Sequence, residues 1–158
     1  MQTRERAQVR RWEERPDPAA LREEFRDQGF VAFDGVLDTE EIAACRDAIT
    51  SVIEAHAFEP TRGRWEIPAE RDGRARCFGR DSGFMLELEA GERPGEQKPG
   101  ELELKVRKIW EFQNETPAFS CLVSGHPRIE PVLETLLGRN PVLFQTMGLI
   151  KPPFCGGE

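Results

Sequence analysis

Apolar residues at helical spacing predict two helices in the first third of the chain. The first follows the N-cap residue Asp17 and ends at Gly29. The apolar run Phe30–Phe33 then favours a short strand. A second helix begins after Asp38, where Glu41 completes a capping box. Its apolar face consists of Ile42, Cys45, Ile49, Val52 and Ile53.

The pattern from residue 102 onwards predicts a strand, two helices and a last strand. Apolar and polar residues alternate from Leu102 to Phe112, which predicts a strand. A short helix is expected over Pro117–Leu122, and a longer one begins near Pro131 and ends at Gly138. A last strand is predicted over Val142–Ile150, before two prolines that prevent further ladder pairing.

The segment 59–100 breaks this regularity and is predicted to be a long loop or lid region. It is rich in Gly, Pro and charged residues, and its first half is basic whereas its second half is acidic. The two halves either pair with each other or form two solvated loops. Within it, Phe84–Leu88 could form a short strand.

Composition and charge argue against several classes of protein. The chain has 158 residues with 22 Lys+Arg against 29 Asp+Glu, a formal net charge of −7, which argues against a nucleic-acid partner. Its apolar stretches are too short to span a membrane, and no apolar leader is evident. We therefore expect a cytoplasmic protein with reduced, mostly buried cysteines. A charged arm over 1–16 and one domain over 17–158 are predicted.

No complete active site is visible in the sequence. Neither His56 nor His126 is followed two residues later by a carboxylate, as the H-x-D or H-x-E iron motif would require. No serine lies in a G-x-S-x-G elbow, and the glycines form no phosphate-binding pattern. The residues alone therefore predict no catalytic residue and no metal ligand.

Lys108 is the polar residue that the pattern singles out. In the predicted strand, a register slip after Val106 places Lys108 on the same inward face as Leu104 and Val106. An ammonium on an inward face needs an anion, because burying an unpaired charge is costly. The anion is either a bound ligand or an acidic side chain such as Glu111.

Four segments, in their order along the chain, resemble segments of the phytanoyl-CoA dioxygenase family of iron(II)- and 2-oxoglutarate-dependent oxygenases. They are the helix opening Leu37–Ile42, the strand Lys108–Gln113, the helix Ser124–Gly138 and the strand Val142–Pro153. The resemblance covers residues 17–158 apart from 59–100.

The resemblance implies an α+β fold with N-terminal helices and the first strands of a double-stranded β-helix, the jelly-roll or cupin-like barrel, left incomplete. It implies that Lys108 and Met147 contact the cosubstrate, with iron(II) and 2-oxoglutarate as cofactors of the intact protein. In the family, the iron motif H-x-D follows soon after the lysine-diproline end of the strand. We therefore expect an N-terminal portion of such a hydroxylase, inactive alone and binding neither cofactor tightly.

Two other functions fit the residues. One is a small non-catalytic binding or scaffold protein derived from the oxygenase fold. The other is a cation-binding role for the glutamates of 59–100, although no ligand spacing supports it. In the oxygenase reading the substrate is a small molecule or an acyl-CoA-like compound, with no nucleic-acid or membrane partner.

Overall fold

The computed structural model describes residues 9–70 and 73–150. The described chain forms two compact units, one built from residues 9–42 with Cys121–Val142 and the other from Ala43–Ser120 with residues 143–150. With four α-helices and a five-stranded antiparallel sheet among these residues, the fold is α+β as predicted. The lysine-diproline segment at 151–153 lies outside the described residues.

The first unit contains the predicted first helix, α1. The Asp17 carboxylate accepts hydrogen bonds from the backbone N–H groups of Ala19 and Ala20, and Gly29 ends the helix in the left-handed conformation. The unit's elements are β1 (Arg10–Arg11), a 3₁₀ turn (Trp12–Glu14), α1 (Pro18–Gln28), β2 (Phe33–Asp34) and α4 (Ile129–Leu137). Strands β1 and β2 pair in parallel, so part of the predicted arm is ordered.

Helix α2 (Thr39–Phe58) begins with the predicted capping box. The Asp38 side chain accepts a hydrogen bond from the Glu41 N–H at 2.9 Å, and the Glu41 carboxylate accepts one from the Asp38 N–H at 2.8 Å. Both donors would otherwise be unsatisfied, so this pair fixes the start of the longest helix.

The second unit is built on an antiparallel sheet whose five strands, in the described part of the chain, lie side by side in chain order. One face, the core face, packs on α2 and α3 (Pro117–Val123) through Val52, Ile53 and Phe119. The strands are β3 (Gly63–Glu66), β4 (Arg76–Gly79), β5 (Met85–Leu88), β6 (Val106–Trp110) and β7 (Met147–Leu149). A 3₁₀ turn, Leu102–Lys105, precedes β6.

The helix and the sheet approach so closely that one strand residue must be glycine. A Cβ atom on Gly63 would lie 1.8 Å from the carbonyl oxygen of His56 in α2. Leu86 and Ile109 belong to the same buried core as Val52 and Ile53 of this helix and are essentially inaccessible to solvent. Burial of such side chains contributes about 1.5–3 kcal/mol each, so this interface stabilises the sheet.

The prediction of a long loop over 59–100 is wrong, because three strands of the sheet lie inside that segment. Each has only four residues, which is too few to establish an alternation with period two among the surrounding Gly, Pro and charged residues. The short strand expected within Phe84–Leu88 is confirmed as β5. The oppositely charged halves do meet, since Arg76 lies 2.8 Å from Glu87.

Other boundaries also differ from the prediction. Residues Leu102–Lys105 form a 3₁₀ turn, so the strand predicted over Leu102–Phe112 is shorter. The last predicted strand contracts to Met147–Leu149. Helix α4 begins at Ile129, two residues before Pro131, because a proline in the first turn forfeits no intrahelical hydrogen bond.

Two predictions concern the burial of the cysteines and the lack of a membrane-spanning segment. Cys77 is buried but Cys121 is exposed, so the expectation of burial holds for only one of these two thiols. None of the helices in the described part of the chain has both the length and the apolar character needed to cross a bilayer. A closed double sheet is still a prediction.

Candidate functional site

The sheet's other face, here called the second face, carries two rows of side chains. Cross-strand partners point to the same side, so register defines each row. The first row is Arg64, Phe78, Met85, Trp110 and Met147; the second is Glu66, Arg76, Glu87, Lys108 and Leu149. Glu87 is the only buried member of the two rows. An apolar row thus lies beside a charged one, about 7 Å away.

Lys108 lies on the second face, so the prediction that it shares a face with Leu104 and Val106 is wrong. Glu87 pairs with Lys108 but Leu88 pairs with Val106, so the ladder contains a β-bulge at Arg107. The extra residue reverses the alternation and leaves Val106 in the core. Leu104 is in the 3₁₀ turn and exposed.

The anion beside Lys108 is Glu87, not Glu111. The Lys108 Nζ atom lies 3.7 Å from Glu87 Oε1, beyond hydrogen-bonding distance, while the Lys108 side chain is 22% exposed. Glu111 instead accepts a hydrogen bond from the Gln113 amide at 3.0 Å. The Lys108 ammonium also lies 4.1 Å from the centre of the Trp110 ring, in a cation–π contact.

Three cations surround the Glu87 carboxylate, whose side chain is only 2% exposed. Arg76 Nε donates to one oxygen at 2.8 Å, and Arg107 donates to the other at 3.0 Å. Burial alone would raise the pKa of Glu87, but Arg76, Lys108 and Arg107 together hold it below its ordinary value. Among these four groups alone, positive charges exceed negative charges by two.

Met147 occupies the row next to Lys108. Trp110 pairs with Met147, and Lys108 pairs with Leu149 on the same strand, so Lys108 and Met147 are diagonal neighbours. Met147 is 53% exposed, which is not the environment of a core methionine. The two residues that the sequence singled out therefore lie together on the second face.

Both histidines contact glutamates, and neither belongs to the two rows of the second face. His56 is buried in α2, where Nε2 lies 2.8 Å from Glu115 and Nδ1 lies 3.3 Å from the Arg62 carbonyl oxygen. In the other unit, His126 Nε2 lies 3.0 Å from Glu41, and Nδ1 accepts hydrogen bonds from the N–H groups of Arg128, which precedes α4, and of Ile129, its first residue. Each histidine thus has a structural role.

An iron ion does not fit the described residues. Within residues 9–70 and 73–150, no three His, Cys, Asp or Glu side chains are grouped so that they could hold a metal ion. The cluster around Glu87 contains one carboxylate among three cations, a donor set that repels a metal cation. An organic anion fits the same cluster, because it would meet the excess positive charge.

Comparison with known proteins gives one informative similarity. The chain is 25% identical over 144 residues to phytanoyl-CoA dioxygenase domain-containing protein 1 from Danio rerio. The chain is thus distantly similar to a dioxygenase-domain protein. The match covers 86% of this chain but 49% of the relative, so the chain spans about half the length of that protein. No protein-family model matches the chain, and no solved structure matches it.

Sequence reasoning missed Glu87, Arg76 and Arg107. Glu87 stands between Leu86 and Leu88, an alternation that already places it opposite two core residues. Arg76 could not be assigned in the same way, because its partner across the ladder depends on strand register. The role of Arg107 follows from the bulge, which leaves no signal in a single sequence.

Proposed function

We propose that this chain supplies the cosubstrate-binding wall of an iron(II)- and 2-oxoglutarate-dependent oxygenase. The observation that carries the proposal is that Lys108 and Met147 are diagonal neighbours on one partly exposed sheet face. The distant similarity to a dioxygenase-domain protein supports the same reaction class. The substrate class, a small molecule or an acyl-CoA-like compound, is part of the proposal.

The second face has the chemistry that a dicarboxylate requires. The Lys108 ammonium lies near the sheet surface, and the excess charge around Glu87 favours a dianion. Trp110 and Met147 supply an apolar surface beside it, on which the methylene groups of 2-oxoglutarate could pack. These residues bind and orient; none of them transfers a proton in this proposal.

In this account the iron ligands are supplied by polypeptide other than the described residues. Bound iron(II) and 2-oxoglutarate would supply the oxidising chemistry of the intact protein. The proposal therefore predicts that the 158-residue chain binds 2-oxoglutarate weakly and shows no turnover. Steady 2-oxoglutarate-dependent release of succinate by this chain with iron(II) would refute that prediction.

The test is a titration of the full chain with 2-oxoglutarate, followed by NMR at the indole N–H of Trp110. The proposal predicts a saturable shift in the wild type and at least a tenfold weaker Kd in Lys108→Gln. Lys98→Gln removes the same charge from an exposed loop position and should keep the wild-type Kd. Equal Kd values for all three proteins would contradict the proposal and favour the scaffold alternative.

A further inference from the structure

We infer that Glu87 determines the affinity and the charge preference of the anion site at Lys108, acting as an internal counter-ion. The inference rests on the proposed function, because it concerns the anion that Lys108 would bind. Glu87 lies directly opposite Lys108 on the neighbouring strand, and its buried carboxylate is held in place by two guanidinium groups.

The geometry leaves the Lys108 ammonium available to a ligand. Arg76 and Arg107 make the hydrogen bonds to Glu87 at 2.8 and 3.0 Å, whereas Lys108 remains at 3.7 Å. A carboxylate that binds Lys108 from the exposed side would lie about 6–8 Å from Glu87, because a hydrogen bond of about 3 Å adds to the 3.7 Å between Lys108 and Glu87. It would then experience both the attraction of three cations and the repulsion of one fixed anion.

The repulsion has a predictable size and charge dependence. Two unit charges about 6–8 Å apart in a partly buried site interact strongly enough to change a binding constant by about tenfold. The repulsion grows with the charge of the ligand, so a dianion loses more affinity than a monoanion. Glu87 therefore limits how strongly the site prefers a dicarboxylate over a monocarboxylate.

The experiment measures Kd for 2-oxoglutarate and for the monocarboxylate 2-oxobutyrate, using the Trp110 signal of the full chain. Glu87→Gln should tighten 2-oxoglutarate binding about tenfold and 2-oxobutyrate binding less. Glu66→Gln makes the same change at an exposed position of the same row and should alter Kd by less than twofold. Loss of a merely structural residue would weaken binding, so tightening distinguishes the two roles.

A charge-balanced variant keeps the test valid if Glu87→Gln fails to fold. Arg76→Gln with Glu87→Gln removes one charge of each sign. Glu87 lies on the strand next to Lys108 and Arg76 one strand further away, so the lost repulsion should outweigh the lost attraction and the double variant should also bind 2-oxoglutarate more tightly than the wild type. If neither variant binds more tightly while Lys108→Gln loses binding, the inference is overturned and the proposed function stands. If Lys108→Gln binds like the wild type, the proposed function fails and the inference fails with it.

Discussion

Lys108 and Glu87 face each other across neighbouring strands, with 3.7 Å between the ammonium nitrogen and the nearer carboxylate oxygen. The pair lies on the sheet face opposite the hydrophobic core, where most side chains are half-buried or exposed. A buried carboxylate on such a face is expensive unless cations surround it. Here Arg76, Arg107 and Lys108 are the cations that surround it.

Glu87 should make the second unit sensitive to acid. Its pKa is held below the ordinary value, so its contribution to the free energy of unfolding is present above about pH 4.3 and is lost as pH falls through the folded-state pKa. Urea unfolding should show Glu87→Gln less stable than the wild type by about 3 kcal/mol at pH 7. The difference should shrink in acid. A difference that stays constant down to pH 3 would contradict this explanation.

Cys77 should make the stability of the second unit sensitive to alkali. Burial raises the pKa of its thiol to about 11, while a backbone hydrogen bond from Arg64 and the charge of Arg80 only partly oppose the rise. Folding favours the protonated thiol, so stability should fall as pH rises from about 9 towards 11, by up to about 3 kcal/mol. Cys77→Ala should remove this part of the alkaline loss, as seen by urea unfolding at pH 8 and pH 10.5.

The buried pair of His56 and Glu115 should contribute more to the free energy of unfolding than its more exposed neighbour Arg62 does. Glu115→Gln removes the carboxylate that faces His56 at 2.8 Å, with side-chain exposures of 4% and 6%, and should cost about 1.5–3 kcal/mol, the range for a hydrogen bond to a charged group. Arg62→Gln removes a cation 3.6 Å from the same carboxylate and should cost less than about 1 kcal/mol. Similar losses in thermal or urea unfolding would show that the short contact is not the stabilising one.

His126 should stabilise the start of α4 through its side chain. Its Nδ1 atom accepts from the N–H groups of Arg128 and Ile129, both at 3.2 Å, so the ring acts as a helix cap. His126→Ala should cost about 1–2 kcal/mol. His126→Asn should recover part of this loss of stability, because the Asn amide oxygen can accept the same N–H groups. The recovery should be only partial, because the Asn side chain is too short to reach Glu41. Equal losses in both variants would argue against capping.

Local signals in the sequence predicted the helices well. Asp17, Gly29 and the Asp38–Glu41 pair are caps whose effect reaches only a few residues, and the structure contains each of them. The sheet was harder to predict. Strands β3 and β4 have four residues each, and a bulge at Arg107 decides which way Lys108 points. Register depends on contacts between strands far apart in sequence, so one sequence contains little information about it.

The candidate site was predicted only in part, because its composition also depends on strand register. The family resemblance singled out Lys108 and Met147, and the structure brings them to one face. Glu87 could be assigned to the opposite side from Leu86, but its three cationic partners come from two other strands. The charge balance that governs ligand binding therefore emerges only when the sheet is assembled.

The most direct test of the central claim is to observe the methionine methyl groups while 2-oxoglutarate binds. With ¹³C-methyl methionine, the chain gives signals from its three methionines, Met1, Met85 and Met147. The account predicts an intermolecular NOE from the methylene protons of 2-oxoglutarate to the Met147 methyl group, which disappears in Lys108→Gln and persists in Lys98→Gln. Saturable binding with no NOE to Met147, or an NOE unchanged in Lys108→Gln, would contradict it.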